Sequence, residues 1–194
     1  MTSTVVAIDI DGVLNSFSKT SSNLVRVNVG EYRISFRVPV LKRLFCLLVR
    51  SDVDVVWLTT WLSEPELLDE FEDALRTVIP ESADIEFQRA TYPQVVQRPA
   101  GGAPSVSDER FPEPTQPEPG SPNWWKYPSA RMLLTDGVDR LAWLDDDFRS
   151  VRTLPGIDPR DDRHLLLRTH SVAGILDEDV DRLSAWIKRD FSLT

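Results

Sequence analysis

Asp9 and Asp11 stand two residues apart in Asp9-Ile10-Asp11-Gly12-Val13-Leu14, directly after the apolar run Val5-Val6-Ala7-Ile8. A carboxylate is a poor nucleophile in water. Beside Mg²⁺, with a phosphoryl group held in line, it can accept that group as an aspartyl phosphate. A second carboxyl group nearby can protonate the leaving oxygen and later deprotonate the attacking water. Further along, Leu141-Ala142-Trp143-Leu144 runs straight into Asp145, Asp146 and Asp147. Magnesium takes one or two protein carboxylates together with waters and a substrate phosphate oxygen, a set that two separated aspartate groups can supply. Between these groups, Val55-Val56-Trp57-Leu58 ends in Thr59-Thr60, two hydroxyls where a strand would finish.

The surrounding pattern says how such residues are brought together. Val5–Ile8, Val53–Leu58, Leu141–Leu144 and His164–Leu167 are short apolar runs of the kind buried on both faces of a sheet, and Ile85–Phe87 is a shorter candidate. Helical periodicity occupies Pro39 to Arg50, the stretch after Ser63-Glu64-Pro65-Glu66 (Ser63 as N-cap, Glu66 closing a capping box), Ser129 to Leu134, and Asp177 to Phe191. Strands alternating with helices imply an α/β fold: a Rossmann-like parallel sheet of about five strands with helices on both faces. Ligands of such sheets bind outside the carboxyl ends of the strands, where Asp9, Thr59 and Asp145 all fall.

Two segments interrupt that alternation within an expected single domain, residues 1–194. Within residues 16–38, Val25, Val27, Tyr32, Ile34 and Phe36 alternate with polar residues, which predicts a hairpin flap after the first strand. A four-residue turn at Asn28–Glu31 pairs Val27 with Tyr32, Val25 with Ile34 and Arg26 with Arg33, and sets Arg26, Arg33 and Arg37 on the polar side. Nine of the fourteen prolines lie between Tyr92 and Pro128, so residues 92–125 read as a proline-rich loop insertion. Trp124 and Trp125 are expected to pack that loop, and His164 and His170 to be structural.

The net charge of −9 argues against general attraction to polyanions, and no apolar run approaches the ~18 residues a membrane span needs. Cys46, the single cysteine, is expected to be a core thiol, and the N-terminus lacks the pattern of a signal peptide, so a cytoplasmic address is expected. Oligomeric state is not legible.

These strings resemble the signatures of haloacid-dehalogenase-like (HAD) phosphatases. Asp9–Leu14 looks like the first signature, Val55–Thr59 like the second and Leu141–Asp146 like the fourth. A narrower likeness, to the branch associated with "Swiss army knife" RNA repair proteins, rests on Thr59-Thr60-Trp61, Trp143–Asp147, and His170-Ser171 leading into Gly174-Ile175-Leu176. The resemblance implies a Mg²⁺-dependent phosphomonoesterase with Asp9 as nucleophile and Asp11 as general acid/base. Asp9, the backbone carbonyl of Asp11, and Asp145 or Asp146 would hold the metal, and Thr59, Thr60 and Lys126 would bind the phosphate. Which of Asp145, Asp146 and Asp147 faces the metal stays open, as does Lys126 against Arg131. The narrow likeness favours nucleotide or nucleic-acid end phosphates as substrate. A small-metabolite phosphatase, or a binding protein that keeps the fold without turnover, are the alternatives.

Overall fold

The computed structural model describes residues 3–19, 23–91, 125–135, 137–148, 156–158 and 160–189. Five strands, β1 (Thr4–Ile8), β4 (Asp54–Trp57), β5 (Phe87–Arg89), β6 (Arg140–Asp145) and β7 (His164–Arg168), form a wholly parallel sheet in the order β5-β4-β1-β6-β7. The chain moves outward from β1 first to one side and then to the other, so β1 lies at the centre with β4 and β6 beside it. That reversal opens a crevice at the carboxyl end of β1.

Register and alternation divide the core in two. Val6, Ile8, Val55, Trp57, Ala142 and Leu144 face one side, with α1 (Val38–Val49), α2 (Pro65–Val78) and α4 (Asp177–Ile187) supplying Leu44, Phe45, Phe71, Leu75, Leu183 and Trp186. Val5, Ala7, Val56, Leu58, Leu141 and Trp143 face the other, against Tyr127 and Ala130 of α3 (Lys126–Thr135). A strand covered on both faces must be apolar at every position, which is why these runs do not alternate. Cys46 is only half-buried on α1, so it is not the enclosed thiol its apolar neighbours suggest. Among the described residues no helix is long and apolar enough to cross a membrane.

β2 (Leu24–Val29) and β3 (Tyr32–Arg37) form the hairpin, but in a different register from the one expected. The turn holds two residues, Gly30 and Glu31, with Gly30 at φ +54°, and it pairs Val29 with Tyr32. Gly30 alone at positive φ follows the II′ pattern, whose twist suits a tight hairpin. Val27 therefore faces Ile34, Val25 faces Phe36, Arg26 faces Ser35 and Arg33 faces Asn28. A slip of two residues leaves every side chain on its expected face, so Arg26, Arg33 and Arg37 still share one side, Arg26 now diagonal to both others.

Other boundaries moved for local reasons. Ser63 is not an N-cap: residues Thr60–Ser63 wind into a 3₁₀ turn in which its hydroxyl donates to the Thr60 carbonyl (2.9 Å), and Glu64 precedes α2 without a side-chain cap. The fifth strand runs Phe87–Arg89 rather than Ile85–Phe87. Helix α3 starts at Lys126, three residues early, because Pro128 is tolerated in a first turn. The expected proline-rich insertion lies mostly outside the described residues.

Candidate active site

Just past the end of β1 the Asp9 amide donates to the Leu144 carbonyl (3.0 Å), which ties the residue following β1 to β6. The chain then turns through Gly12 at φ +69°. A Cβ there would lie 2.3 Å from the Asp146 carboxyl carbon, so glycine is required by both the backbone conformation and the approach of Asp146. Thr169 braces the turn from beyond β7: its hydroxyl donates to the Gly12 carbonyl (2.7 Å) and its amide to the Asp145 carbonyl (3.1 Å).

Lys126, 2% exposed, enters this crevice from the first turn of α3 and donates to Asp9 Oδ2 and to Asp145 Oδ2, the latter at 2.7 Å. Asp9 Oδ1 accepts from the Ile10 amide (2.8 Å), and the neighbouring Thr59 side chain helps hold the Asp9 carboxyl down against its burial. Asp145 Oδ1 accepts from the Asp147 amide (2.9 Å), and its Oδ2 from the Trp143 indole (3.3 Å). Thr59 is fully buried, whereas Thr60 is exposed on the following turn.

Electrostatically the site is short of positive charge. Burial raises the Asp9 carboxyl above the ordinary carboxylate range, against the pull of Lys126. Burial also pushes Asp145 up to about 7, with Lys126 opposing and Asp9 adding to the rise. Asp146 rises to about 6 through burial, then the charges of Asp147 and Asp9. For Lys126, burial works against the ammonium, but Asp9 and Asp145 outweigh it and hold the group charged above its usual range.

One oxygen from each of Asp9, Asp145 and Asp146 lies within 4.8 Å of the others. All-carboxylate donors are hard ligands of the kind Mg²⁺ prefers, and with Lys126 as the adjacent cation a surplus of about two negative charges remains when all three are ionised. The residues present therefore fit a divalent cation. Neither Asp147 nor the Asp11 side chain is part of the group. Arg131 is exposed on α3, so the structure brings Lys126 rather than Arg131 to Asp9.

Two residues that the spacing did not single out touch Asp11. Asn15 Nδ2 donates to Asp11 Oδ1 (2.8 Å) and Trp61 Nε1 to Asp11 Oδ2 (2.9 Å). Trp61 stands in the sequence only as part of the string Thr59-Thr60-Trp61, and Asn15 directly follows the first motif with no signal of its own. Trp125 packs against the second core, and His170 serves its own loop, Nδ1 accepting from the Val172 and Ala173 amides (3.2 Å each).

A central parallel strand leading into an aspartate, with a threonine and an acidic pair at the ends of its neighbours, is the arrangement of a HAD-like domain, which suggests a phosphatase-type hydrolase. The sequence matches the family described as "HAD domain in Swiss Army Knife RNA repair proteins" over residues 5–180. The chain belongs to that family. No curated protein and no solved structure matches it.

If the three carboxylates hold the cation, replacing Asp145 and Asp146 together with Asn raises the Mg²⁺ concentration needed for half-maximal activity. Losing even an outer-shell partner costs ~10–100-fold in metal affinity, so the shift should be at least about tenfold. The Mg²⁺-induced rise in melting temperature should shrink in parallel. An unaltered magnesium titration places the metal elsewhere.

Proposed function

We propose that the protein is a Mg²⁺-dependent phosphomonoesterase that works through a phosphoryl group carried on Asp9. The observation that supports this most is the convergence on Asp9 of Lys126, Thr59 and the carboxylates of Asp145 and Asp146, all at the carboxyl end of the central strand.

Asp9 attacks phosphorus, the bond from phosphorus to the leaving oxygen breaks, and that oxygen takes its electron pair and a proton from Asp11. Water then attacks the phosphorus of the acyl phosphate while Asp11 accepts its proton. The bond to Asp9 breaks, and inorganic phosphate leaves. Lys126 and the Thr59 hydroxyl bind the phosphate oxygens, with Thr60 beside them, and Lys126 offsets charge that builds there in both steps. Asp9, Asp145, Asp146 and the Asp11 carbonyl would hold Mg²⁺, which when bound supplies the charge that draws the phosphate dianion to an acidic site. Hydrolysis of p-nitrophenyl phosphate that needs Mg²⁺ and stops with a chelator is the first test. A folded protein without such turnover would be the binding-protein alternative.

Family membership favours phosphorylated nucleotide or nucleic-acid ends as substrate. The hairpin offers a surface suited to them, since Arg26 and Arg33 are exposed and Arg37 half-buried along one side. Contacts from such a strip to a phosphate backbone weaken as salt rises. Changing Arg26, Arg33 and Arg37 together to Ala should raise KM for a 3′- or 5′-phosphorylated oligonucleotide about tenfold at low salt and flatten its salt dependence. KM for p-nitrophenyl phosphate should change far less. Equal effects on both substrates would mean that the strip is only a solvated face, and a screen of phosphorylated metabolites would then take precedence.

A further inference from the structure

Both oxygens of the Asp11 carboxylate are engaged by neutral donors. Trp61 and Asn15 are 7% and 3% exposed, so both donors are held within the fold while Asp11 itself is half-buried at the edge of the crevice. The amide of Asn15 can be oriented without ambiguity: a carboxylate only accepts and a backbone N–H only donates, so Nδ2 faces Asp11 while Oδ1 accepts from the Ser35 amide (3.0 Å). The Asn15 backbone is fixed as well, its amide donating to the Ile10 carbonyl (2.9 Å) and its carbonyl accepting from the Gly12 amide (3.2 Å). The Trp61 indole is wedged between Tyr32 and Phe71, with both ring centroids 5.5 Å away. Each donor is thus anchored in the hairpin as well as in the core, through Ser35 on one side and Tyr32 on the other.

We propose that Trp61 and Asn15 are positioning residues that fix the plane of the Asp11 carboxyl group for proton transfer to the leaving oxygen. Each carboxyl oxygen has two lone-pair directions, and one donor apiece leaves one free on each to carry the transferring proton. Two donors on opposite oxygens also prevent the group from rotating about its Cβ–Cγ bond. An acid held this way is aligned before substrate arrives, and a misplacement of about 1 Å costs on the order of 100-fold in rate. The hairpin, which supports both donors, is thereby part of the catalytic geometry as well as a surface near the site. This proposal rests on the reading of Asp11 as the general acid.

The test uses leaving-group dependence, because only proton donation distinguishes poor leaving groups from good ones. Trp61→Phe keeps a ring between Tyr32 and Phe71 and deletes the N–H. Asn15→Asp keeps an acceptor for the Ser35 amide, deletes the N–H pair and sets a second carboxyl group beside Asp11, so Asn15→Ser, which deletes the N–H pair without adding charge, is run with it. Each variant, with its melting temperature recorded, is assayed with Mg²⁺ on an alkyl phosphate and on p-nitrophenyl phosphate, alone and combined with Asp11→Asn. The expected result is a fall in kcat on the alkyl ester of ~10–100-fold, at least about fivefold larger than the fall on the aryl ester, with KM little moved. On the Asp11→Asn background the extra loss should vanish, since a positioning residue has nothing left to position.

Equal losses on both esters, or an undiminished loss on the Asp11→Asn background, overturn the proposal. If Trp61→Phe does not fold, Asn15→Ser decides the question on the same readouts. If Asp11→Asn alone treats the two esters alike, the acid assignment falls and takes the positioning role with it. If Asp11→Asn discriminates and the positioning variants do not, only the positioning role falls.

Discussion

Asp9→Asn should abolish turnover while the fold persists. The substitution keeps the shape of the side chain and an oxygen for the Ile10 amide, but it removes the anionic oxygen proposed to attack phosphorus. Lys126 still faces Asp145, so the buried ammonium keeps a partner. On the proposed mechanism nucleophile, acid and metal would act as one unit, so loss of the nucleophile should forfeit most of what the others contribute, and the fall in Mg²⁺-dependent activity should be at least about 1,000-fold. The melting temperature should stay level or rise, since one of two buried carboxylates facing a single lysine has been neutralised. Retention of more than about a tenth of the activity would falsify the assignment.

Lys126→Met should damage both activity and stability. Methionine fills a similar volume at the start of α3 but leaves Asp9 and Asp145 facing each other with no cation between them. Removing one partner of a buried ion pair costs ~3–5 kcal/mol, to be measured by urea unfolding without divalent cation. Turnover should fall by ~100-fold or more, as when a preorganised charge is removed from the reacting phosphoryl group. The pH dependence has a definite sign. Asp145 and Asp146 have folded-state values near 7 and 6, above the ordinary carboxylate value of 3.8, so the folded state binds more protons than the unfolded between those limits. Their contribution therefore makes metal-free stability fall as pH rises from about 4 to about 7. Without Lys126 that fall should steepen, and Mg²⁺ should offset it most at the high end, where the carboxylates are free to bind. A variant as stable as the wild type at pH 7.5 without metal would show that Lys126 is not the group that balances this cluster.

Much of this arrangement is written locally. Val5–Ile8, Val55–Leu58 and Leu141–Leu144 are apolar without alternation because each strand is covered on both faces, and chemistry-bearing residues sit directly at their ends. A parallel sheet places those ends on one edge, and the position of β1 between β4 and β6 then brings Asp9, Thr59 and Asp145 together. Which hairpin residues share a face was legible too, since a two-residue period fixes the face whatever the register, but Val25 and Tyr32 on the apolar face stay exposed and Ser35 on the polar face is buried.

The register itself was not legible, because it depends on whether the turn closes over two residues or four, and Gly30 settles that only through a φ that a sequence does not display. Lys126 and Arg131 carry the same charge at nearby positions on one helix. What separates them is which side of α3 turns toward the sheet, and that depends on Tyr127 and Ala130 packing against strands far along the chain. Asp145, Asp146 and Asp147 are indistinguishable as letters; the close approach to Gly12 places Asp146, Lys126 links Asp145 to Asp9, and Asp147 is left to donate its amide. The hold of Asn15 and Trp61 on Asp11 joins side chains from two loops and braces them on a hairpin inserted between the first two strands of the sheet. Hydrogen bonds of that kind depend on side-chain atoms meeting within about 3 Å, a distance set by the packing of whole elements and absent from any local pattern of residues.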